Sequence, residues 1–294
     1  MTDVLQTLTS GIALGSLYAV LALGFVIVAR ASGILNLAQG SFVVLGAYLA
    51  YALVHQAGLP FWAGVVVAMA AVALFAVLME ALVLHRVADH FAALLITFGV
   101  TIAVGPVITG IWPGDSLNLG DPWALSVLRI GGIGITARDA TLIPITAVLL
   151  LCFFLFFRYT RIGLSLRATA IDSEAALAQG VSTRLVYGIS WGIAGALGAF
   201  GGVMLSTTVG GGVRPGLEVY AFLALPVIIL GGLESPLGAV VGGLIIGVVQ
   251  QFAVSLVPES WGSGFSEVVP YLVMLVILLI RPAGLFGRRE VRRA

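Results

Sequence analysis

Residues able to do chemistry are scarce in this chain, and their positions restrict what that chemistry can be. The three histidines, His55, His85 and His90, fall at the ends of apolar runs, and none has a second histidine or a carboxylate at ligand spacing within an apolar helix. Neither a metal centre nor a serine–histidine hydrolase is therefore expected. All 14 basic residues are arginines. With no lysine the chain lacks the GxxxxGK[ST] phosphate loop and is not expected to hydrolyse ATP in that way. It reads as a non-enzyme that binds no cofactor of its own. Two acids lie inside apolar runs: Glu80, about a turn from the inner end of its run and close to Arg86, and Glu267, near the outer start of the last run. A carboxylate in such a setting is by default a functional candidate, although near a span end it commonly snorkels or pairs. The single cysteine, Cys152 in "LLLCFFLFF", has no partner for an internal disulfide and reads as a small buried hydrophobe.

Two polar passages remain. Asn36, Gln39 and Ser41 open a short apolar run through "LNLAQGS", and Thr97, Phe98 and Thr101 sit in "LLITFGVT". Amides and hydroxyls at the start of a short span need partners in a dry setting, which makes these six the candidates for lining a translocation pathway. The second passage is residues 171–186, "IDSEAALAQGVSTRLV". Asp172 is placed to cap a short helix, "SEAALAQ" is rich in helix formers, Gly180 supplies a left-handed stop, and Ser182 or Thr183 can cap the next helix. Two turns of helix are marginal alone in water, so something must hold them.

The elements that must position these residues follow from composition. Of 294 residues 60% are hydrophobic and 9% charged, against about 25% charged in soluble domains. Runs such as Gly64 to Leu84 reach the roughly 20 residues a membrane helix needs. Alternating segments of a β-barrel are not seen. The fold class is all-α, a polytopic transmembrane helical bundle with about 8–9 segments near residues 8–29, 38–54, 61–84, 91–111, 139–157, 186–206, 219–232, 236–257 and 264–280. The second and seventh are short. Pro226, Gly231, Gly232 and Pro236 suggest that 219–257 is either two crossings or one broken pair. The first run is too long for a signal-peptide core and lacks a basic region before it, so it reads as a retained span. Counting arginines places eleven (Arg30, Arg86, Arg158, Arg161, Arg167, Arg184, Arg281, Arg288, Arg289, Arg292, Arg293) on one side and Arg129, Arg138 and Arg214 on the other. By the positive-inside rule the amino terminus should lie outside and the carboxy terminus in the cytoplasm. The outer loop 112–138 reads as a small hairpin. The 38 glycines, clustered as in "GIAGALGAFGG", allow close helix packing.

The passage "EAALAQG", Glu174 to Gly180, resembles the EAA loop of ABC-importer membrane subunits. The continuation "VSTRLVYGISWG" lacks that loop's isoleucine and Leu-Pro, which points away from the commonest importer subfamily. "NLAQG" at Asn36 to Gly40, "LLITFGVT" at Leu94 to Thr101, "RYTRIGLSLRATAIDSEAALAQGV" at Arg158 to Val181, "VIILGGLESPLGAVVGGLIIG" at Val227 to Gly247 and the ending "LVMLVILLIRPAGLFG" are similar, in order, to the LivH-type permeases of branched-chain amino acid ABC importers. The resemblance covers essentially the whole chain, 1–294, as one permease domain with a cytoplasmic coupling segment at about 158–185. It implies an inner-membrane subunit that moves branched-chain or related amino acids by alternating access. The implied partners are a second homologous permease, in a heterodimer, two ATP-binding subunits inside and a solute-binding protein outside, with no nucleic acid. ATP would be used by those partners. The implied coupling residues are Asp172, Ser173, Glu174, Ala175, Ala176 and Gly180. The rival reading is an ion-coupled secondary transporter using the broken helices at 219–257; a passive channel is less favoured for want of a charge ring or carbonyl filter.

Overall fold

The computed structural model describes residues 2–87, 89–114, 116–120, 122–123, 126–130, 133–208, 212–256 and 264–287. Four of the arginines counted above, Arg288, Arg289, Arg292 and Arg293, lie outside the described residues. The protein is an all-α polytopic membrane bundle, and every apolar segment expected from the sequence is helical. In chain order the elements are α1 (Thr2–Ser32), α2 (Gln39–Tyr51) continued by a π turn (Ala52–Gln56), α3 (Phe61–Leu82) followed by a 3-10 turn (Leu84–Arg86), and α4 (His90–Ile111). A hairpin of β1 (Val127–Ile130) and β2 (Ile133–Thr136) leads to α5 (Ala137–Tyr159), α6 (Arg161–Ile171), α7 (Ser173–Ala178) and α8 (Thr183–Ser206). The chain closes with α9 (Glu218–Phe222), α10 (Ala224–Gly231), α11 (Pro236–Leu256) and α12 (Phe265–Ile280). Among the described residues six helices, α1, α3, α4, α5, α8 and α11, are long and apolar enough to cross a bilayer; the apolar helices from Glu218 to Gly231 and from Phe265 to Ile280 are shorter.

The expected hairpin is present, with Val127 opposite Thr136 and Arg129 opposite Gly134 in antiparallel register. The seventh segment is interrupted at Leu223, between α9 and α10. Pro226 falls in the first turn of α10, where a backbone N–H has no helical partner to lose. One expectation fails: Cys152 is exposed on α5 rather than buried. In a chain this apolar the outward surface of a membrane helix is itself apolar, so hydrophobicity there does not mean burial inside the protein.

The chain folds as two compact units interleaved in sequence. One comprises residues 1–26, 123–147 and 222–294. In it α1 and α11 meet backbone to backbone: a side-chain carbon at Gly15 would lie 2.8 Å from the Gly243 carbonyl oxygen, and one at Gly11 the same distance from Val248 Cα. That close approach brings Tyr18 Oη within 2.9 Å of Gln250 Oε1, to which it donates in a buried setting. At the start of α5, Ser10 Oγ donates to Asp139 Oδ2 at 2.9 Å and Arg138 lies 3.4 Å from Oδ1. The "RPAGLFG" tail folds onto the end of α10: Leu285 N donates to Leu230 O at 2.7 Å and Phe286 N to Gly231 O at 3.1 Å, satisfying carbonyls that the helix end leaves free. Tyr18→Phe removes one membrane-buried hydrogen bond, so a loss of only about 0.6–1.7 kcal/mol is expected, read as a small fall in the melting temperature of the purified protein.

The other unit comprises residues 27–122 and 148–221. Its centre is α8, packed against α2 and α3 through glycine. A side chain at Gly202 would fall on the Val43 carbonyl, one at Gly46 on the Ala199 backbone, and one at Gly195 would lie 2.7 Å from the Val72 oxygen. The absence of side chains lets these backbones touch, the packing mode that replaces the hydrophobic effect between membrane helices. Phe42 then sits edge-on to Phe75 and Trp191, with ring centroids 6.3 and 6.4 Å apart.

Candidate functional site

Five of the six pathway candidates meet in this second unit. Helix α1 stops at Gly33, whose φ of 71° is a left-handed cap, and the chain runs irregularly to Ala38 before α2 begins. A non-helical stretch among membrane helices leaves backbone groups that must find partners. Thr97 and Thr101, one turn apart on α4, supply them: Leu37 N donates to Thr97 Oγ1 at 3.3 Å, and Thr101 Oγ1 donates to Leu37 O at 2.8 Å. Ser41 Oγ lies 3.4 Å from Thr101 Oγ1. Asn36 Nδ2 donates to Gln39 Oε1 at 3.2 Å, and Gln39 Nε2 in turn donates to Ala194 O of α8 at 3.2 Å. Asn36, Gln39 and Thr97 are fully buried. Asn36 Oδ1 is buried without a hydrogen-bond partner, a group that costs free energy wherever it stays unpaired. Phe98 does not join the cluster; it is 45% exposed on the outer side of α4.

This cluster predicts a measurable cost. Gln39→Leu orphans Asn36 Nδ2, at about 1–3 kcal/mol for a buried unpaired group, and removes the second hydrogen bond to the Ala194 carbonyl. The purified variant should melt several degrees below the parent. Ser41→Ala, which removes a single long contact, should melt close to it.

The coupling segment contains a helix that the sequence did not announce. Thr160 Oγ1 accepts from Gly163 N at 2.9 Å and so caps α6. Arg167 reaches back along α6 to the end of α5, donating to the carbonyls of Phe157 and Arg158. An arginine on the last carbonyls of a helix satisfies and stabilises that end, so α6 is fastened to α5 and does not hang from it. The capped passage then follows as the residues imply. Asp172 Oδ1 accepts from Glu174 N at 3.0 Å and Ala175 N at 2.9 Å. Gly180, with a φ of 83°, closes α7 in a Schellman motif: Val181 N donates to Ala176 O at 3.0 Å and Gly180 N to Leu177 O at 2.9 Å. Of the two possible caps for α8, Ser182 is the one used, accepting from Leu185 N at 3.4 Å.

Burial sorts the coupling residues. Asp172, Glu174, Ala175 and Gly180 are exposed, Ser173 is half-buried, and Ala176 faces into the chain. Two residues that sequence reasoning missed stand out instead. Ile171 is 82% exposed and Leu177 is 54% exposed, in a stretch otherwise polar. Their signal was a large aliphatic just before the capped helix and another within it.

Glu80 is the one charged residue of α3 and is buried, with Oε1 3.7 Å from His85 Nδ1. Its partner is therefore His85, not Arg86. The 3-10 turn that follows α3 carries His85 back towards the carboxylate. No group of three or more metal-ligating side chains occurs among the described residues.

The sequence matches the family described as "Branched-chain amino acid transport system / permease component" over residues 7–278. It is similar to the high-affinity branched-chain amino acid transport system permease protein LivH of Escherichia coli, 26% identical over 98% of this chain and 97% of that protein. It resembles equally the permease protein BraD of Pseudomonas aeruginosa, 26% identical over 98% and 97%. Among solved structures, PsaBC from Streptococcus pneumoniae, in complex with Fab, superposes with a TM-score of 0.56 at 17% identity, over 95% of this chain and 91% of that one. At that identity the likeness is one of fold.

Proposed function

Because the chain belongs to the family of permease components of branched-chain amino acid transport systems, a family of multi-pass membrane subunits, we propose that it is the transmembrane subunit of an ABC importer for a branched-chain or related amino acid. It works by alternating access beside a second, homologous permease. ATP-binding subunits dock on its cytoplasmic side, and a solute-binding protein delivers substrate from outside. The amino terminus lies outside and the carboxy terminus in the cytoplasm, in accord with the eleven-to-three arginine bias.

The observation that carries this reading is α7. A six-residue helix has no stability of its own, yet this one is capped at both ends, is braced through α6 to α5, and continues through Gly180 into α8. It presents Leu177 outward, beside Ile171 at the end of α6. A rigid, apolar-tipped rod joined to two long membrane helices is the element through which a nucleotide-binding subunit can push. Asp172 and Gly180 set its ends; Glu174 and Ala175 lie on its exposed surface; Ser173 and Ala176 seat it on the chain.

Asn36, Gln39, Ser41 and Thr97 are buried in this conformation. Asn36 Oδ1, already unpaired, has no partner to lose when the network opens. Exposed in turn, Asn36, Gln39, Ser41, Thr97 and Thr101 offer the amides and hydroxyls that an amino acid's polar end needs. Phe98, on the outer side of α4, belongs to the wall against a neighbour. The permease needs only weak affinity, since a tight site would retain its cargo.

Uptake into vesicles tests the whole reading. Amino acid accumulation should require the ATP-binding subunits, the binding protein and ATP together. Accumulation by this chain without the ATP-binding subunits overturns it in favour of a secondary transporter.

A further inference from the structure

Glu80 is a buried acid on a long apolar helix that neither the coupling rod nor the pathway uses, and its surroundings give it a role. Helices α3 and α8 are in backbone contact at Gly195 but diverge towards α7. A side-chain carbon would lie 2.7 Å from the Val72 oxygen at Gly195 and 3.0 Å from Val77 Cγ2 at Gly192. At Gly188 its nearest neighbour is Glu80 Oε2, at 3.8 Å. The splay leaves a groove of about 350 Å³ between Val77, Glu80 and Ala81 on α3 and Ser182, Arg184 and Gly188 on α8. Glu80 lies between this groove and a smaller cavity shared with His85, His90, Tyr187 and Trp191. Arg184 stands in the first turn of α8, two residues past the Ser182 cap, exposed and within electrostatic range of the carboxylate. No ion pair joins the two in this conformation; the carboxylate's near neighbour is His85, at 3.7 Å.

We propose that Glu80 is a positioning residue that takes up the movement of the coupling rod. When α7 is displaced, the start of α8 swings towards α3, Arg184 moves onto the Glu80 carboxylate, and the groove closes. When the rod returns, Glu80 falls back to His85. The inference rests on α7 being the coupling element. A carboxylate held in an apolar helix exchanges readily between two partners, here the His85 ring and the Arg184 guanidinium, only if both are within reach, because leaving it with neither is costly. The tight glycine contacts farther along α8 make the region near Gly195 the fulcrum, so a small shift at α7 becomes a closing movement at Glu80.

The test uses the complete importer in vesicles and reads ATP hydrolysed per amino acid transported. Glu80→Gln and Arg184→Gln should each raise that ratio about tenfold. The double variant should be no worse than either alone, and the reversed pair Glu80→Arg with Arg184→Glu should recover most of the coupling. An unchanged ratio in either single variant, or effects that multiply in the double, overturns the proposal. Should Glu80→Gln fail to accumulate, a Glu80→Cys, Arg184→Cys pair in a Cys152→Ser background gives the second reading. It should form a disulfide faster in the ATP-trapped complex than in the nucleotide-free one, and equal rates overturn the proposal. The docking of α7 is judged separately by substitutions at Leu177, so failure of the rod and failure of the Glu80 device give different results.

Discussion

Leu177→Asp leaves the permease in the membrane at its normal level and abolishes substrate-stimulated ATP hydrolysis by the assembled importer. Leu177 is 54% exposed in the isolated chain and its aliphatic side chain has no hydrogen bond to lose, so its replacement should cost the permease fold little. In the assembly the same side chain is expected to be buried against an ATP-binding subunit. Burying a leucine is worth about 1.5–3 kcal/mol, so removing it weakens docking about 10- to 100-fold. Asp adds a charge that must lose its water in an apolar cleft, which takes the loss beyond that range. Leu177→Ala should fall between, and Glu174→Arg, at the margin of the same surface, should lower stimulated turnover less severely. The measurements are co-purification of the ATP-binding subunits with tagged permease and ATP turnover in vesicles. A Leu177→Asp complex that assembles and turns over normally removes α7 from the coupling route.

That Leu177 and not Ala176 is the residue to substitute shows where sequence reasoning stops. The caps of α7 were legible because capping is local: Asp172 before a run of helix formers and Gly180 after it admit one arrangement, and the structure has it. Which alanine would face outward was not, since the phase of a six-residue helix is set by α6 and α8, and α6 gave no clear signal of its own. Its cap at Thr160 and its fastening through Arg167 depend on the end of α5 turning back on itself. The same division runs through the pathway cluster. Asn36, Gln39, Ser41, Thr97 and Thr101 were identifiable as groups that need partners in a dry setting. Partners such as the two backbone groups of Leu37 and the Ala194 carbonyl lie on segments 60, 64 and 155 residues away.

Membrane burial explains two of the other differences. Apolar character marks a residue as out of water, but not whether protein or lipid covers it, so Cys152 and Phe98 could not be placed by hydropathy. Glu80 was recognisable as needing a partner near its span end. The residue beside it is His85 and not Arg86, because the 3-10 turn Leu84–Arg86 leaves His85 Nδ1 3.7 Å from the carboxylate. By contrast, apart from the break at Leu223, segment positions were readable almost throughout, including the interruption between Gly231 and Pro236 and the hairpin. These depend on run length, proline and glycine, all properties of adjacent residues.

Glycine is where local reading is least informative, and there the expected effects are largest and opposite in sign. Gly202→Val should prevent the permease from accumulating in folded form. The added side chain would begin on top of the Val43 carbonyl, a backbone atom with no rotamer to yield. Helix α2 would have to move away from α8 as a unit. That movement also strains the Gln39 contact with Ala194 and the Phe42 contact with Trp191 between the same two helices, as well as the Phe42 contact with Phe75 on α3. Overpacking costs about 1–3 kcal/mol where neighbours can shift and more where they cannot. At about 2–4 °C per kcal/mol, the melting temperature should fall by roughly 10 °C or more. Gly105 on α4, also a helical glycine in the apolar part of the chain, has no atom within 4 Å of where a side chain would start. Gly105→Ala should therefore gain part of the roughly 1 kcal/mol by which alanine exceeds glycine in a helix interior. Thermal unfolding of the purified variants, with Gly202→Ala as an intermediate step, measures both. If Gly202→Val accumulates and melts with the parent protein, α2 and α8 are not in backbone contact, and the cluster around Gln39 loses the packing that positions it.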